Sequence, residues 1–346
     1  KLLTQLYGDR LLIANATGCS SIYGGNLPST PYTTDANGRG PAWANSLFED
    51  NAEFGLGFRL TVDQHRARVM RLLAQFADKI PAELNDALHA EATPDVRRAQ
   101  VAELRNALQG VEGAEQLLTD ADALVEKSVW LIGGDGWAYD IGFGGLDHVL
   151  SLTENVNILV LDTQCYSNTG GQASKATPLG AVTKFGEHGK RKARKDLGVS
   201  MMMYGHVYVA QISLGAQLNQ TVKAIQEAEA YPGPSLIIAY SPCEEHGYDL
   251  ALSHDQMRQL TATGFWPLYR FDPRRADEGK LPLALDSRPP SDALAETLLQ
   301  EQRFRRLNAQ QPEVAEQLWK DAAADLQKRY DFLAQLAGKA EKSTSE

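Results

Sequence analysis

The sequence predicts an α/β fold built on a mostly parallel sheet with helices on both faces. Two short apolar runs, Val129–Ile132 and Asn157–Leu161, are continuous rather than alternating, which is typical of strands covered on both faces. The segment between them is long enough for a crossover helix, so the three pieces predict a βαβ unit. Both runs end in polar turns, and open α/β sheets bind ligands at the carboxyl ends of their strands.

The two polar turns carry groups that suit a hard cation and an anion. Gly133–Gly136 combines glycines with the carboxylate of Asp135, and Asp162–Asn168 offers hydroxyl, amide and carbonyl oxygens. Magnesium takes oxygen ligands and usually shares them with substrate phosphates. The turns therefore predict a site for a magnesium diphosphate. The alternative interpretation is a mononucleotide-type α/β turn whose acids only cap helices.

Upstream of this unit the sequence predicts a strand, a long loop and a helical insertion. Leu11–Ala14 is an apolar strand that leads into a loop of small residues with Cys19. Residues 23–46 are rich in Gly, Pro, Asn, Ser and Thr without periodicity, which predicts a functional loop, and 51–57 predicts a further loop before a helix. Apolar residues at helical spacing from about 60 to 127 predict an insertion of two to four helices.

Downstream the sequence predicts two more strands of the same sheet, Val207–Ile212 and Ser235–Tyr240, with a helix from about 215 to 230 between them. The second strand delivers Ser241–Cys243 to the edge where the other turns lie. The segment 266–290 is rich in proline and charge, which predicts an extended linker or wrapping segment.

The end of the chain is predicted to be a helical extension. Residues 291–338 have a helical pattern with many charges, so we expect them to pack on this unit or on a neighbour, and 339–346 are expected to fray. The predicted division is a ligand-binding domain over 1–270, with its insertion at about 60–127, followed by a linker and helical extension over 271–346.

Composition limits the class of protein. The chain has 346 residues, of which 43% are apolar and 23% charged, as in ordinary globular proteins. A net charge of −10 argues against nucleic acid as a general partner. No apolar run reaches membrane-spanning length, no secretory signal opens the chain, and the cysteines are too few and too scattered for a disulfide framework, so we expect a cytoplasmic protein. Because the chain begins with Lys1, we expect a fragment of a longer protein.

One basic run, Lys190–Lys195, stands out in this acidic chain. Such a run predicts either a solvated face or a patch that docks a partner or steers an anion.

Four stretches together resemble the thiamine diphosphate-binding, C-terminal part of pyruvate:ferredoxin (flavodoxin) oxidoreductase. They are IANATGCSSIYG (Ile13–Gly24), GDGWAYDIG (Gly134–Gly142), DTQCYSNTGGQ (Asp162–Gln172) and SPC (Ser241–Cys243). A lone GDG is a weak signal, whereas four motifs in this order are specific. The resemblance covers roughly residues 1–272 and implies the thiamine diphosphate-binding fold.

The resemblance implies thiamine diphosphate and Mg²⁺ as cofactors. Mg²⁺ would be bound by the side chains of Asp135 and Thr163 and by the backbone carbonyl of Cys165. Asn168 would reach the reacting carbon and the substrate, which makes it the candidate catalytic residue. The other cofactor-binding positions implied are Cys19, Gly136, Trp137, Ala138, Gln164, Tyr166 and Ser167.

A [4Fe–4S] cluster is implied as well. Such a cluster needs four ligands, usually thiolates, and the resemblance assigns two of them to Cys19 and Cys243. In the family the other two come from a Cys-x-x-Cys upstream of where this chain begins. The alternative is that these are two unrelated buried thiols. The thiol of Cys165 is interpreted as a small buried apolar group. His246, three residues after Cys243, is the histidine nearest the predicted site.

The function that the resemblance implies is the oxidative decarboxylation of pyruvate with coenzyme A to acetyl-CoA and CO₂. Ferredoxin or flavodoxin would accept the electrons, upstream domains would supply the activating glutamate, and the enzyme would be a homodimer. One alternative is a related oxidoreductase for another 2-oxoacid. A second is a non-redox thiamine-dependent decarboxylase or synthase, which has no use for Cys19 and Cys243. A silent binding module would have lost Asp135 or Thr163, and both are present.

Overall fold

The computed structural model describes residues 1–291 and 293–339, so residues 340–346 of the predicted frayed end lie outside the described part of the chain. One eight-stranded sheet organises the described residues. Its strands are β1 (Leu11–Ala16), β2 (Ala42–Ser46), β3 (Ser128–Gly134), β4 (Asn157–Asp162), β5 (Tyr208–Ile212), β6 (Ser235–Tyr240), β7 (Tyr269–Phe271) and β8 (Leu283–Leu285). Their order across the sheet is β2-β1-β3-β4-β6-β5-β7-β8.

Helices cover both faces of this sheet, as predicted. They are α1 (Leu2–Tyr7), α2 (Cys19–Gly25), α3 (Asn51–Gln75), α4 (Ala82–His89), α5 (Pro94–Ala107), α6 (Glu115–Asp120), α7 (Phe143–Ser151), α8 (Leu197–Met202), α9 (Leu218–Glu229), α10 (Ser253–Ala262), α11 (Leu294–Leu298), α12 (Gln302–Gln310) and α13 (Pro312–Leu336). Neighbouring residues of β3 point to opposite faces: Leu131 shares a buried cluster with Leu146 of α7, and Trp130 shares another with Ile225 of α9. Burial on both faces explains why the apolar run of β3 is continuous.

The predicted βαβ unit is confirmed. β3 and β4 are parallel neighbours, with Trp130 opposite Asn157 and Gly134 opposite Leu161. A π-helical turn at Gly136–Ile141 and helix α7 connect them. The strands from β1 to β6 all pair in parallel, so their carboxyl ends meet at one edge of the sheet.

The loop predicted at 51–57 is wrong, because α3 begins at Asn51 and runs through it. Its two glycines suggested a loop, but one of them serves packing. A Cβ atom on Gly55 would overlap with the side chain of Leu131 in β3, so the absence of a side chain lets the helix lie close to the sheet. The four helices α3 to α6 then form the predicted insertion around their own apolar cluster, which includes Leu73 and Leu104.

The long loop predicted over 23–46 is partly wrong. Helix α2 starts at Cys19 and ends at Gly25, and β2 occupies Ala42–Ser46 as the edge strand beside β1. As an edge strand, β2 has only half-buried and exposed residues, so it lacks the apolar run that identified the central strands.

The sheet continues into the predicted linker. β7 pairs antiparallel with β5, and β8 pairs antiparallel with β7. The predicted division near residue 270 stays a prediction. Helices α12 and α13 bring Phe304, Leu307 and Trp319 into the main apolar core, so the helical extension packs on this unit. Among the described helices, none is both long and apolar enough to cross a membrane.

Candidate functional site

A cleft of about 330 Å³ opens at the carboxyl edge of the sheet, where β1, β3, β4 and β6 end. The convergence of the polar turns at this edge follows from the parallel order of the strands. Its walls are Ala16, Thr17, Gly18, Cys19, Ser20, Phe48, Gly134, Asp135, Gly136, Trp137, Leu161, Thr163, Cys165, Tyr166, Ser167, Asn168, Thr169 and Ser241.

Three oxygen atoms come together in one wall of this cleft. The hydroxyl of Thr163 lies 2.9 Å from a carboxylate oxygen of Asp135 and 3.1 Å from the carbonyl oxygen of Cys165. The backbone N–H of Thr163 also donates to Asp135 at 3.2 Å. Ser174 donates its hydroxyl to the other oxygen of Asp135. Carboxylate, hydroxyl and carbonyl oxygens are the ligand set of a hard divalent cation.

The electrostatics of this wall also favour a cation. Asp135 is buried, and its burial together with the charge of nearby Asp162 raises the pKa of its carboxyl well above the ordinary value. A divalent cation at the three oxygens would reverse this effect, because it stabilises the ionised carboxylate.

Asp162 is itself held in place by an ion pair. Its carboxylate accepts hydrogen bonds from Tyr139 at 2.8 Å and from Arg194 at 2.6 Å. The guanidinium of Arg194 also stacks on the ring of Trp266, 4.9 Å from its centroid. The sequence predicted no supporting role for Asp162 or Ser174, and Arg194 was predicted only as part of the basic run Lys190–Lys195. One signal was available for Asp162: a carboxylate at the end of a mostly buried strand needs a partner.

The basic run Lys190–Lys195 divides into inward and outward side chains. Arg194 is paired with Asp162, and the ammonium group of Lys190 donates to the carbonyls of Ser174 at 3.0 Å and Thr177 at 2.6 Å. These two cations therefore belong neither to a solvated face nor to a docking patch. Within the run, Arg191 and Lys192 are exposed.

Gly136 brings the backbone of the first turn against the ring of Tyr166. A Cβ atom on Gly136 would lie 2.5 Å from that ring, so another residue would push the two turns apart. Trp137 is buried and also lines the cleft.

Two of the predicted cofactor-binding residues do not line the cleft. Gln164 has a left-handed backbone with φ of 61°, and its side chain accepts a hydrogen bond from Arg303 of α12 at 2.7 Å. Ala138 is fully buried in the main core. The backbone of Gln164 still shapes the loop, since its N–H donates to Asp162 at 3.0 Å.

Cys19 and Cys243 reach the same loop from two different strands. The exposed thiol of Cys19 lies 3.8 Å from the amide oxygen of Asn168, and the half-buried thiol of Cys243 donates to the hydroxyl of Ser167 at 3.3 Å. Asn168 is exposed at the mouth of the cleft. The predicted convergence of the two cysteines is thus present in the structure. In the described part of the chain, no group of three or more His, Cys, Asp or Glu side chains is arranged to hold a metal ion.

His246 lies behind the site rather than in the cleft. It is buried, and its Nε2 lies 2.7 Å from the carbonyl oxygen of Thr163. Burial and the neighbouring charge of Arg303 lower the pKa of His246 to about 4, so the neutral ring donates this hydrogen bond near pH 7. His246 therefore positions the backbone of Thr163.

Comparison with known proteins agrees with this geometry. Residues 99–239 match the family described as "Thiamine pyrophosphate enzyme, C-terminal TPP binding domain". Over its whole length the chain is 91% identical to a part, 30%, of the "Probable pyruvate-flavodoxin oxidoreductase" of Escherichia coli (strain K12). It is 56% identical to the "Pyruvate-flavodoxin oxidoreductase" of Rhodospirillum rubrum, over 99% of the chain and 29% of that protein.

The name of a third relative contains ferredoxin instead of flavodoxin. The "Pyruvate:ferredoxin oxidoreductase" of Moorella thermoacetica is 48% identical over 97% of the chain and 30% of that protein. The chain thus spans about 30% of the length of these curated relatives. The resemblance predicted from the four motifs is confirmed by the match of residues 99–239 to this domain family and by the similarity of the chain to part of these oxidoreductases.

Proposed function

We propose that this chain, which is similar along its whole length to part of the pyruvate-flavodoxin oxidoreductases, is the segment of such an enzyme that binds thiamine diphosphate and Mg²⁺. The whole enzyme would convert pyruvate and coenzyme A to acetyl-CoA and CO₂ and pass the electrons to flavodoxin or ferredoxin. The observation that carries the proposal is the meeting of three oxygen ligands and two thiols at one loop, 163–168.

Mg²⁺ fits the oxygen atoms of Asp135, Thr163 and the Cys165 carbonyl. A buried carboxylate with a raised pKa is costly to ionise, and a bound cation offsets that cost. The hydroxyl of Ser174 and the N–H of Thr163 hold the carboxylate in a fixed orientation before the metal arrives. Mg²⁺ would in turn hold the diphosphate, because it shares its oxygen ligands between protein and phosphate.

The cleft beside these ligands would take the rest of the cofactor. When bound, thiamine diphosphate supplies an electron sink for the carbanion that decarboxylation leaves. Trp137 and Gly136 are buried and form part of its wall. Asn168 stands at the mouth, where its amide can hydrogen-bond the substrate, and we assign it the role of catalytic residue.

Cys19 and Cys243 would be two ligands of a [4Fe–4S] cluster. Thiolates are the usual ligands of such clusters, and both thiols flank the loop that carries Asn168. The thiol of Cys165 also lies near this place, 3.6 Å from the hydroxyl of Ser167, but we assign it no cluster ligand role, so the other two ligands would come from an upstream domain. The cluster would then lie next to the cleft and receive electrons directly from it.

The proposal is tested on the full-length protein, reconstituted with thiamine diphosphate, Mg²⁺, iron and sulfide without oxygen. We expect pyruvate to produce the EPR signal of a reduced cluster, and coenzyme A to accelerate its appearance. Asp135→Ala should lose cofactor binding in calorimetry and should lose reduction by pyruvate, while dithionite still reduces the cluster. Release of CO₂ from pyruvate without cluster reduction would instead identify a non-redox decarboxylase.

The assembly is part of the proposal. The activating glutamate would come from an upstream domain, and the enzyme would be a homodimer in the cytoplasm. Sedimentation equilibrium of the full-length protein measures the dimer directly, and a monomer that retains full activity would contradict it.

A further inference from the structure

The hydroxyl of Ser167 stands between the proposed magnesium ligands and the proposed cluster ligands. Its oxygen lies 2.6 Å from the hydroxyl of Thr163 and 3.3 Å from the thiol of Cys243. In the structure Ser167 donates to Thr163 and accepts from Cys243. The backbone carbonyl of Cys165 is a weaker acceptor at 3.5 Å, and the thiol of Cys165 lies 3.6 Å from the same oxygen. One side chain thus contacts a residue from each half of the site.

A hydroxyl has one proton, so Ser167 donates to one of these partners at a time. Cys243 donates to Ser167 only while its thiol carries a proton. A thiolate bound to iron has no proton, and the contact then requires Ser167 as the donor. Thr163 and Cys243 would therefore compete for the single proton of Ser167 when the cluster is present.

Binding of Mg²⁺ changes the outcome of this competition. A metal on the Thr163 oxygen takes one of its lone pairs and withdraws electron density from it. Thr163 then becomes a weaker acceptor, and the proton of Ser167 turns toward the sulfur of Cys243. Hydrogen bonds to cluster sulfurs are among the factors that set the reduction potential, and they favour the reduced state because it carries more negative charge.

We propose that Ser167 couples cofactor binding to cluster reduction, so that loading of Mg²⁺ and thiamine diphosphate raises the reduction potential of the cluster bound by Cys243. This inference rests on the proposed function. Because equilibrium coupling is reciprocal, reduction of the cluster tightens binding of the magnesium diphosphate by the same factor. The enzyme would thereby accept electrons most readily when its cofactor is in place.

The expected size of the coupling is about fivefold in affinity, at the low end for coupled sites. For a one-electron couple, in which tenfold corresponds to about 59 mV, fivefold corresponds to about 40 mV. The shift due to Ser167 adds to any shift that the bound cofactor causes by its charge or by excluding water. Comparison with a variant that lacks the hydroxyl separates the two contributions.

The test is a redox titration of the full-length reconstituted protein, followed by EPR, with and without Mg²⁺ and thiamine diphosphate. The signal of this cluster is identified by its loss in Cys19→Ala. We expect the cofactor to raise the midpoint potential in the wild type, and Ser167→Ala to lose about 40 mV of that shift. Ser167→Thr keeps the hydroxyl and should retain the shift, as should Ser200→Ala on the exposed face of α8.

A second measurement uses binding alone. Calorimetry with thiamine diphosphate and Mg²⁺ should give about fivefold tighter binding to the reduced wild type than to the oxidised one, and a smaller ratio for Ser167→Ala.

The other possible outcomes would each contradict a stated part of the inference. An equal shift in the wild type and Ser167→Ala, or no upward shift in the wild type, overturns the role of Ser167 and leaves the proposed function standing. If Cys19→Ala removes no cluster signal, the cluster assignment fails and the coupling fails with it.

Discussion

The guanidinium of Arg194 lies 2.6 Å from the carboxylate of Asp162, and both side chains are largely shielded from water, with 13% and 0% of their areas exposed. The charge of Asp162 contributes to the raised pKa of the Asp135 carboxyl. Arg194 therefore compensates one of two neighbouring buried carboxylates and leaves the other to the proposed metal.

Removal of the Arg194 guanidinium should destabilise the site. Arg194→Met leaves Asp162 buried and unpaired, and breaking a buried ion pair typically costs about 3–5 kcal/mol. We expect faster hydrogen exchange in β4 and in loop 163–172 of the full-length protein, and weaker binding of thiamine diphosphate. The double variant Asp162→Asn/Arg194→Met removes both charges and should recover much of the protection. A double variant as unprotected as the single one would contradict the electrostatic explanation.

Without metal and cofactor, Asp135 should make the site less stable as the pH rises. A carboxyl with a raised folded-state pKa contributes stability that is complete below its unfolded value and is lost as the pH rises through the folded value. For Asp135 this window runs from 3.8, its ordinary pKa, to about 8. We expect hydrogen exchange around β3 and β4 in the apo protein to accelerate between pH 5 and pH 9 more in the wild type than in Asp135→Asn.

Mg²⁺ and thiamine diphosphate provide the control for this experiment. They should remove the difference between the wild type and Asp135→Asn at high pH, because the bound cation stabilises the ionised form. An equal pH dependence of the two apo proteins would show that Asp135 does not titrate as proposed.

The two glycines of α3 should respond in opposite ways to the same substitution. Gly55→Ala places a methyl group against Leu131 and should destabilise the contact between helix and sheet by about 1–3 kcal/mol. Gly57 is exposed, and a Cβ there has no atom within 4 Å, so Gly57→Ala should stabilise the helix by about 1 kcal/mol. Hydrogen exchange of α3 measures both, and an equal effect of the two would refute the packing role of Gly55.

Lys190 should hold the segment that carries Ser174. Its ammonium group donates to the carbonyls of Ser174 and Thr177, so Lys190→Met should release this segment and weaken binding of the cofactor. Lys192→Met is the matched control, because Lys192 is an exposed residue of the same run. Hydrogen exchange of residues 173–178 distinguishes the two variants. Equal exchange in both variants would show that Lys190 does not hold this segment.

The central strands were predictable because burial on both faces requires a continuous run of apolar residues. Val129–Ile132 and Ser235–Tyr240 were recognised for this reason, and the turns after them followed from the parallel order. The edge strand Ala42–Ser46 carries no such run and was missed. Gly55 was misleading because a glycine that lets a helix approach a sheet looks, in the sequence, like a glycine that breaks a helix.

The buried contacts that hold the site in place could not be predicted from sequence patterns. Arg194 and Lys192 lie two positions apart in the same basic run, yet Arg194 is paired with Asp162 and Lys192 is exposed. Which of the two side chains is buried depends on the path of the chain back to the sheet, and local sequence spacing does not predict that path. The direction of the Gln164 side chain depends in the same way on Arg303, 139 residues later.

The contact between Gln164 and Arg303 also affects the order in which the chain can fold during its synthesis. At about 5–20 residues per second, the ribosome adds Arg303 roughly 7–30 s after Gln164. During that interval the buried amide oxygen of Gln164 lacks the donor that Arg303 supplies in the folded protein. Thr163 and Cys165 flank Gln164. The folded arrangement of this loop therefore requires synthesis of the chain at least as far as α12.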